Sequence, residues 1–303
     1  MKLGHILILF TLFLSCSLLT ENDKEKDSPS FMKDTCPVWS PITNKIAYFH
    51  GGKITTPGVY LIDPDGSNNH LLFSSVVVDN IIWGNSENEF IFDAYNQIWW
   101  YNYETDSSFQ ITNTPGGNFF PSLSPNGKEI LYSKSLSIDN YKLGIRKISI
   151  DGSGDSFIVG GLKPCYTPDG NGFVYCGDDG TDELEIFKYS FIDSSSKKLT
   201  NMKWNCSHPK ISPNGDLIVF LHQANYLDYF DIYIMDSDGS KLRLLTRKGY
   251  YPSFSPDSKW VVYTNTDSRD GRIWKISVKG GEKIAITPPA PDSYFDEHDN
   301  SHK

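Results

Sequence analysis

Short segments in which apolar and polar side chains alternate recur along the chain at a nearly constant interval. Each segment carries an apolar residue followed two positions later by an aromatic one, and a spacing of two places both side chains on one face of a β-strand. The six pairs are Ile46/Tyr48, Phe90/Phe92, Ile130/Tyr132, Phe173/Tyr175, Ile218/Phe220 and Val261/Tyr263. The pattern therefore predicts six strands that each bury one face.

A turn signal precedes each of these strands and sets the period of the repeat. Ser-Pro or Thr-Pro occurs in five units, and the dipeptide Gly84-Asn85 is a degenerate sixth copy. The signals begin at Ser40, Gly84, Ser124, Thr167, Ser212 and Ser255, in steps of 44, 40, 43, 45 and 43 residues. An apolar residue directly before each signal is predicted to end a first strand: Trp39, Trp83, Leu123, Tyr166, Ile211 and Phe254.

Two more strands are predicted after the apolar-aromatic strand of each unit. The third carries Val59-Tyr60, Ile98-Trp99, Ile145, Ile186-Phe187, Ile232-Tyr233 and Ile273-Trp274. The fourth is expected to end in an apolar-Thr pair in four units: Ile111-Thr112, Leu199-Thr200, Leu245-Thr246 and Ile286-Thr287. Sequences such as DPDGS from Asp63 supply tight turns between these two strands, because glycine adopts the positive φ that such turns require.

Four antiparallel strands repeated at this interval are typical of a β-propeller. One four-stranded sheet cannot bury two apolar faces alone, whereas six sheets around an axis pack on one another. The sequence therefore predicts an all-β fold, a six-bladed β-propeller over residues 34–288, and a disordered tail over 289–303. Because all six units are complete, we expect the ring to close by packing of unit six on unit one, with any strand exchange minor.

The repeated motif also resembles that of a known family. Pro, one further residue, an aromatic or apolar residue, Ser-Pro and then Asp or Asn, as in the segment from Pro252 to Asp257, resembles the TolB-type propeller repeat, also called the PD40 or WD40-like repeat. The resemblance extends over about residues 34–287 and implies the propeller fold. TolB has an additional N-terminal α/β domain, which we expect this chain to lack, so the resemblance does not carry over the role of TolB in the Tol-Pal system.

The N-terminal segment indicates export. Lys2 is followed by an apolar run that ends at Ser15, which is too short for a membrane-spanning helix and fits a secretory signal peptide over residues 1–15. Ser15 before Cys16 resembles a bacterial lipobox, in which the cysteine is lipidated after cleavage. We expect lipidation at Cys16, a flexible tether over 16–33, and a bacterial envelope location as an outer-membrane or surface lipoprotein; periplasmic or secreted protein and an uncleaved anchor are the alternatives.

Composition narrows the classes of function. Apolar residues make up 39% and aromatic residues 14% of the chain, which is enough for a core, and the net charge of −9 argues against a nucleic-acid binder. The sequence contains no G-x-S-x-G nucleophile motif, no glycine-rich nucleotide motif and no C-x-x-C pair. We therefore assign no catalytic residue, no cofactor and no metal site, and expect a monomer.

Two cysteines flank one predicted turn. Cys165 and Cys176 lie on either side of TPDGNG, and directly opposite positions on antiparallel strands are close enough for a disulfide. An exported protein also meets oxidising conditions. A disulfide between them and two free buried thiols are both consistent with the sequence.

The loops divide between two rims of the predicted ring. The rim that carries the connections between strands two and three and between successive units, called the long-loop rim below, has the longer loops and is where binding is expected. Its candidate binding residues are His50, Asp93, Tyr95, Asp178, Asp179, Asp182, Glu183, Trp204, His222, Tyr226, Tyr229, Tyr250, Asp267 and Arg269. His50 and His222 occupy the same position in their units. Packing of the aromatic side chains on the blades and solvation of the acidic loop are the alternatives.

Two functions fit these observations. The first is a scaffold that binds a protein or an extracellular polymer through the long-loop rim. The second is an enzyme, a lyase or a hydrolase, with a metal-dependent or acid/base site in the central funnel, for which His50, Asp93, His222 and Asp267 are the candidates. Stoichiometric metal in the funnel would favour the enzyme.

Overall fold

The computed structural model describes residues 34–51, 56–74, 79–135, 143–180, 183–223, 229–266 and 271–289. These residues form six four-stranded antiparallel sheets, so the predicted six-bladed propeller is confirmed. No helix among them has the length and hydropathy needed to cross a membrane.

Each blade is built from four consecutive strands. Blade 1 contains β1 (Asp34–Trp39), β2 (Ile46–His50), β3 (Gly58–Ile62) and β4 (His70–Ser74). Blade 2 contains β5 (Asp79–Trp83), β6 (Glu89–Ala94), β7 (Gln97–Asn102) and β8 (Ser107–Gln110). Blade 3 contains β9 (Asn118–Leu123), β10 (Glu129–Ser135), β11 (Leu143–Ser149) and β12 (Ser156–Gly160). Blade 4 contains β13 (Leu162–Tyr166), β14 (Gly172–Asp178), β15 (Leu184–Ser190) and β16 (Ser195–Lys198). Blade 5 contains β17 (Cys206–Ile211), β18 (Leu217–His222), β19 (Asp231–Asp236) and β20 (Arg243–Thr246). Blade 6 contains β21 (Gly249–Phe254), β22 (Trp260–Asn265), β23 (Arg272–Ser277) and β24 (Lys283–Ala285).

The hydrophobic core lies between the blades. Each of six clusters of buried side chains joins two neighbouring blades, so every interface of the ring has its own core. Between blades 2 and 3, for example, Ile91 and Ile98 pack with Ile130 and Tyr132. The apolar-aromatic pairs lie in the second strands as predicted and are buried, except that Phe92 is only half-buried.

The ring closes by packing, as expected. Strand β1 packs against β21, β22 and β23, and none of the described strands is exchanged between blades 1 and 6. Tyr48 and Ile62 of blade 1 share a cluster with Val262 and Ile273 of blade 6. The interface therefore has the same construction as the other five.

The Ser-Pro signal works through its hydroxyl group. Ser255 Oγ accepts a hydrogen bond from the Trp260 amide at 2.9 Å and donates one to Asp257 Oδ1 at 2.6 Å. The hydroxyl groups of Ser124, Thr167 and Ser212 make the same pair of contacts in their blades. In blade 2, which lacks the hydroxyl group, Glu89 Oε2 accepts from the Asn85 amide at 3.1 Å.

The fourth strands of blades 2, 4 and 6 end slightly earlier than predicted, directly before the apolar-Thr pair. Strands β8, β16 and β24 each end one residue before the pair, and only β20 includes it. Beyond the strand end, the threonine hydroxyl continues the pairing: the amides of Ile98 and Ile186 each donate to a threonine Oγ1 at 2.8 Å. A side chain thus replaces the backbone acceptor at the end of the fourth strand.

The turn hydroxyl can be tested by substitution. Ser255→Ala leaves the Trp260 amide without its acceptor, and we expect the free energy of unfolding to fall by about 1–3 kcal/mol. Ser240→Ala, in an exposed turn, should change it by less than about 0.5 kcal/mol. Urea unfolding followed by tryptophan fluorescence measures both, and equal effects would contradict this role of the hydroxyl.

Candidate functional site

A channel runs along the axis of the ring. The first strands of all six blades line a cavity of about 170 Å³. Its lining residues are Cys36, Pro37, Val38, Asn80, Ile81, Ile82, Phe120, Pro121, Lys163, Pro164, His208, Pro209, Lys210, Tyr251, Pro252 and Ser253. This is the space that the repeat places at the centre of the ring.

The same β-bulge interrupts every first strand. In each blade the register between first and second strand shifts at one point. One residue at that point has a φ between 44° and 55°, and we call these six residues the axial ring: Cys36, Asn80, Phe120, Lys163, His208 and Tyr251. A proline follows in five of the six blades, where the missing amide proton costs little because the ladder is already interrupted.

The backbone amides of the axial ring are held by the preceding blade. The Phe120 amide donates to Asp93 Oδ2 at 3.3 Å, and the Lys163 amide donates to Ser133 Oγ at 2.8 Å. Asp93, which the sequence placed on the rim, is therefore a buried residue that supports the ring from the adjoining blade, with only 2% of its surface exposed. These contacts stabilise a conformation that non-glycine residues seldom adopt.

Lys163 is buried in the channel wall. Only 4% of its surface is exposed, and its Nζ donates to Ser207 Oγ at 2.8 Å and to His208 Nδ1 at 3.1 Å. The ammonium group also lies 4.9 Å from the centre of the Phe120 ring. Among the described residues no carboxylate forms an ion pair with it.

Burial changes the protonation of this cluster. Withdrawal from water lowers the pKa of Lys163 to about 8, and burial holds the pKa of His208 well below its usual range, with the Lys163 and Lys210 ammonium groups acting in the same direction. His208 is thus neutral and, because its Nδ1 accepts from lysine, carries its proton on Nε2. Burial likewise raises the pKa of the Cys176 thiol to about 11.

Aromatic rings narrow the channel around His208. Its imidazole makes edge contacts with Phe120 and Tyr251, at centroid distances of 5.7 and 5.5 Å. Phe120, Lys163, His208 and Tyr251 belong to consecutive blades, whereas the two remaining ring residues, Cys36 and Asn80, are small. Large aromatic and cationic side chains therefore line the channel on blades 3 to 6, whereas the side chains on blades 1 and 2 leave more space.

The two predicted rim histidines have structural partners. Both end the second strand of their blade, as the sequence indicated, and both are buried. His50 Nδ1 lies 2.6 Å from Asp34 Oδ1, and His222 Nε2 lies 2.8 Å from the Lys203 carbonyl oxygen. Each histidine thus holds the start of its own blade to the end of the second strand.

The predicted acidic loop is divided among separate partners. Asp178 Oδ1 accepts from the Gly180 amide at 2.7 Å, Asp179 pairs with Lys198, and Glu183 Oε2 accepts from the Trp204 amide at 3.1 Å. Asp182 lies outside the described residues. The three described carboxylates are therefore bound within the loop or to the adjoining Lys198 and Trp204.

The predicted rim aromatics differ in exposure. Tyr95 is 74% and Tyr229 is 48% exposed, Trp204 is half-buried, and Tyr250 packs edge-on against Phe230 at 5.3 Å. Burial raises the pKa of Tyr250. Tyr226, Asp267 and Arg269 lie outside the described residues. Tyr95 and Tyr229 are therefore the described aromatic candidates that a partner can reach.

The expectation that Cys165 and Cys176 face each other is wrong. The bulge in β13 places Cys165 opposite Val174 and Cys176 opposite Leu162. Within the described part of the chain, neither Cys165 nor Cys176 forms a disulfide. The register shift of the bulge, which the symmetric spacing around the turn does not reveal, removes the geometry that a disulfide needs.

The enzyme alternative would require metal-binding side chains that lie close together. Within the described parts of the chain, no three His, Cys, Asp or Glu side chains are grouped so that they could hold a metal ion. Asp267 lies outside those parts. His50 bonds to Asp34 at the start of its own blade, His222 bonds to the Lys203 carbonyl just before its blade, and Asp93 bonds to the next blade.

The axial ring was missed at the level of sequence, although a signal for it exists. In five units a proline stands three residues before the Ser/Thr-Pro signal, as in KPCYTP and HPKISP. The residue before that proline is the ring residue. The pattern marks the position, but its positive φ and inward direction depend on the bulge.

Comparison with known proteins supports the same fold. Residues 159–293 match the TolB beta propeller domain, PD40. The Tol-Pal system protein TolB of Francisella tularensis is 26% identical over 234 residues, covering 58% of this chain and 53% of that protein. The crystal structure of TolB from Acinetobacter baumannii has a TM-score of 0.70 at 24% identity, covering 80% of this chain and 63% of that one.

A more distant solved structure has a similar fold. The oligogalacturonate lyase of Vibrio parahaemolyticus has a TM-score of 0.56 at 14% identity, covering 87% of this chain and 90% of that one. This chain spans about half the length of the curated relatives it matches. The expected resemblance to the TolB-type propeller is confirmed.

The energetic cost of Lys163 can be measured. Its native pKa lies below the usual 10.5, so the unfolded chain binds more protons between about pH 8 and pH 10.5, and stability rises with pH in that window. Lys163→Met removes the buried charge, and we expect it to increase the free energy of unfolding at pH 7 by about 1–3 kcal/mol. The advantage of the variant should shrink as pH approaches 10.5.

Urea unfolding of both proteins at pH 7 and pH 10 measures this difference. Lys259→Met is the matched control, because the Lys259 side chain is 75% exposed. A variant at position 163 that is less stable than the parent protein at pH 7 would show that the ammonium group stabilises the fold.

Proposed function

We propose that this TolB-like propeller is an exported, lipid-anchored envelope protein that binds a partner protein, or an extracellular polymer, through its long-loop rim. The observation that carries the proposal is the pair of exposed tyrosines on that rim. Tyrosine presents a large, rigid contact surface together with a hydrogen-bonding group, and it is enriched where proteins bind partners.

Tyr95 occupies a backbone position that does not favour it. Tyr95 and Asn96 form the turn between β6 and β7 with φ values of 52° and 64°, where glycine, asparagine or aspartate is the usual choice. The tyrosine is nevertheless 74% exposed. A large side chain that fits neither the turn nor the core supports a role in binding.

Tyr229 presents a second contact on the opposite side of the ring. The Lys248 Nζ lies 5.5 Å from the centre of its ring, so an aromatic and a cationic group are offered together. Blades 2 and 5 are three positions apart in a ring of six. A partner that contacts both Tyr95 and Tyr229 therefore extends across the mouth of the axial channel.

The opposite rim offers less for recognition. Its turns are closed by their own serine hydroxyls and by asparagine or aspartate side-chain oxygens, as in the contacts of Ser212 and Asn214. Exposed apolar residues there, including Ile42 and Ile192, are aliphatic. Single exposed aliphatic side chains are ordinary on protein surfaces.

The rim can be tested by matched substitutions. We expect Tyr95→Ala combined with Tyr229→Ala to reduce recovery of cross-linked envelope partners at least fivefold, because both anchors are lost. Ile42→Ala combined with Ile192→Ala, on the opposite rim, should leave recovery unchanged. Quantitative mass spectrometry of the captured material provides the measurement, and identical partner profiles for all three proteins would reject the long-loop rim.

Lipidation requires its own test. We expect the full chain, produced in a bacterium that processes lipoproteins, to enter the detergent phase of a Triton X-114 separation, and Cys16→Ser to move it to the aqueous phase. Cys36→Ser, which alters a propeller cysteine, should stay in the detergent phase. Aqueous partitioning of the parent protein would indicate ordinary secretion, and detergent partitioning of Cys16→Ser would indicate an uncleaved anchor.

A further inference from the structure

The charge of the axial channel is opposite to that of the protein. The chain has a net charge of −9, yet none of the described residues that line the channel is aspartate or glutamate. The charged residues among them are Lys163 and Lys210. A cleft lined by one sign of charge concentrates ions of the other sign, so the channel favours an anion.

The cluster around Lys163 has more donors than acceptors. The charged lysine carries three N–H groups, and among the described residues Ser207 Oγ and His208 Nδ1 accept hydrogen bonds from it. Ser207 Oγ also lies 3.0 Å from His208 Nδ1, and the Ser207 hydroxyl group hydrogen-bonds with the Cys176 thiol. The ammonium group also faces the Phe120 ring, with Nζ 4.9 Å from the ring centre. An incoming anion would supply the missing acceptors.

Most of the remaining lining is apolar, and Asn80, His208, Tyr251 and Ser253 are its other polar members. Prolines from five blades contribute to the wall, together with Val38, Ile81 and Ile82 of the first two blades. Because Cys36 and Asn80 are small, the space of the ring lies on their side, facing Lys163 and Lys210. A fully hydrated inorganic anion would leave these apolar surfaces without a partner, whereas an anion with an apolar group would cover them.

We propose that the axial channel binds a carboxylate attached to a small apolar group, with Lys163 Nζ as the anchoring cation and the apolar group packed against the prolines and isoleucines opposite. Lys210, half-buried at the same cavity, supplies further positive charge. Free carboxylic acids and the C-terminus of a peptide that ends in an apolar residue share this chemistry. The proposal rests on the channel lining and not on the long-loop rim.

The access route agrees with this assignment. Phe120, His208, Lys210 and Tyr251 all line the cavity and are each partly exposed, so the channel is open to solvent. Lys163 lies deeper, where removal from water strengthens its attraction for a negative group. The same burial makes the lysine costly when the channel holds no anion.

Calorimetric titration with four probes tests the proposal. We expect 3-phenylpropionate to bind at least tenfold more tightly than 3-phenylpropanamide, because only the acid offers a carboxylate. The peptide Ala-Ala-Phe with a free C-terminus is compared with its C-terminal amide in the same way. Tighter binding of the free peptide than of 3-phenylpropionate assigns the site to a chain terminus, and the reverse order assigns it to a free acid.

Two substitutions locate the site. Lys163→Met should weaken binding of the better acid at least tenfold, and Lys259→Met on the opposite rim should leave it unchanged. Cys36→Phe should also weaken it at least tenfold by filling the open side; Phe120, at the equivalent position with a φ of 55°, shows that this backbone accommodates phenylalanine. This second variant keeps the Lys163 charge, so it tests the location independently of the charge.

Several results would overturn the proposal. Equal affinity for acids and amides would exclude carboxylate recognition, and failure of both acids to bind at millimolar concentration would exclude the site. Undiminished binding to Lys163→Met or to Cys36→Phe would place the ligand elsewhere. Equal competition by sodium sulfate would show a general anion site without an apolar component.

Discussion

Each blade buries its two faces only against its neighbours, and the whole molecule depends on this mutual burial. The six hydrophobic clusters lie at the six interfaces, and none lies within a single sheet. Closure between blades 6 and 1 follows the same rule, supplemented by hydrogen bonds such as that from the Trp39 amide to Ser253 Oγ at 3.2 Å. Removing one interface would expose the apolar faces of two blades at once. We therefore expect an incomplete ring to be unstable.

This constraint decides where binding can occur. Because the faces of the sheets are used for packing, the axis and the two rims are the surfaces left for function. On the axis the repeat imposes the same bulge six times, and on the long-loop rim it leaves turns such as Tyr95-Asn96 free to vary. The two proposals made for this protein use these two surfaces separately.

The strands could be predicted from the sequence, whereas the residues that line the axial channel could not. Period-two pairs and the Ser-Pro signal predicted the blades because side-chain alternation and turn chemistry act locally. The bulge is a property of pairing between two strands, so it displaced Cys165 and Cys176 from register, and the prolines that mark the axial ring in five units do not by themselves reveal its positive φ. Asp93 was misplaced for a related reason: its partner, the Phe120 amide, belongs to the next blade.

The axial ring shows how a repeated backbone acquires one specific function. Six residues share nearly the same φ, and the preceding blade satisfies the amides of Phe120 and Lys163, so this strained geometry is maintained by the scaffold. The side chains at the six positions are all different, and this makes the channel asymmetric, with small residues on blades 1 and 2 and cationic or ionisable ones on blades 4 and 5. Lys163 has no ion pair with a described carboxylate, so we expect its burial to oppose folding. A side chain that the packing of the ring tolerates but does not need is best explained by what it binds.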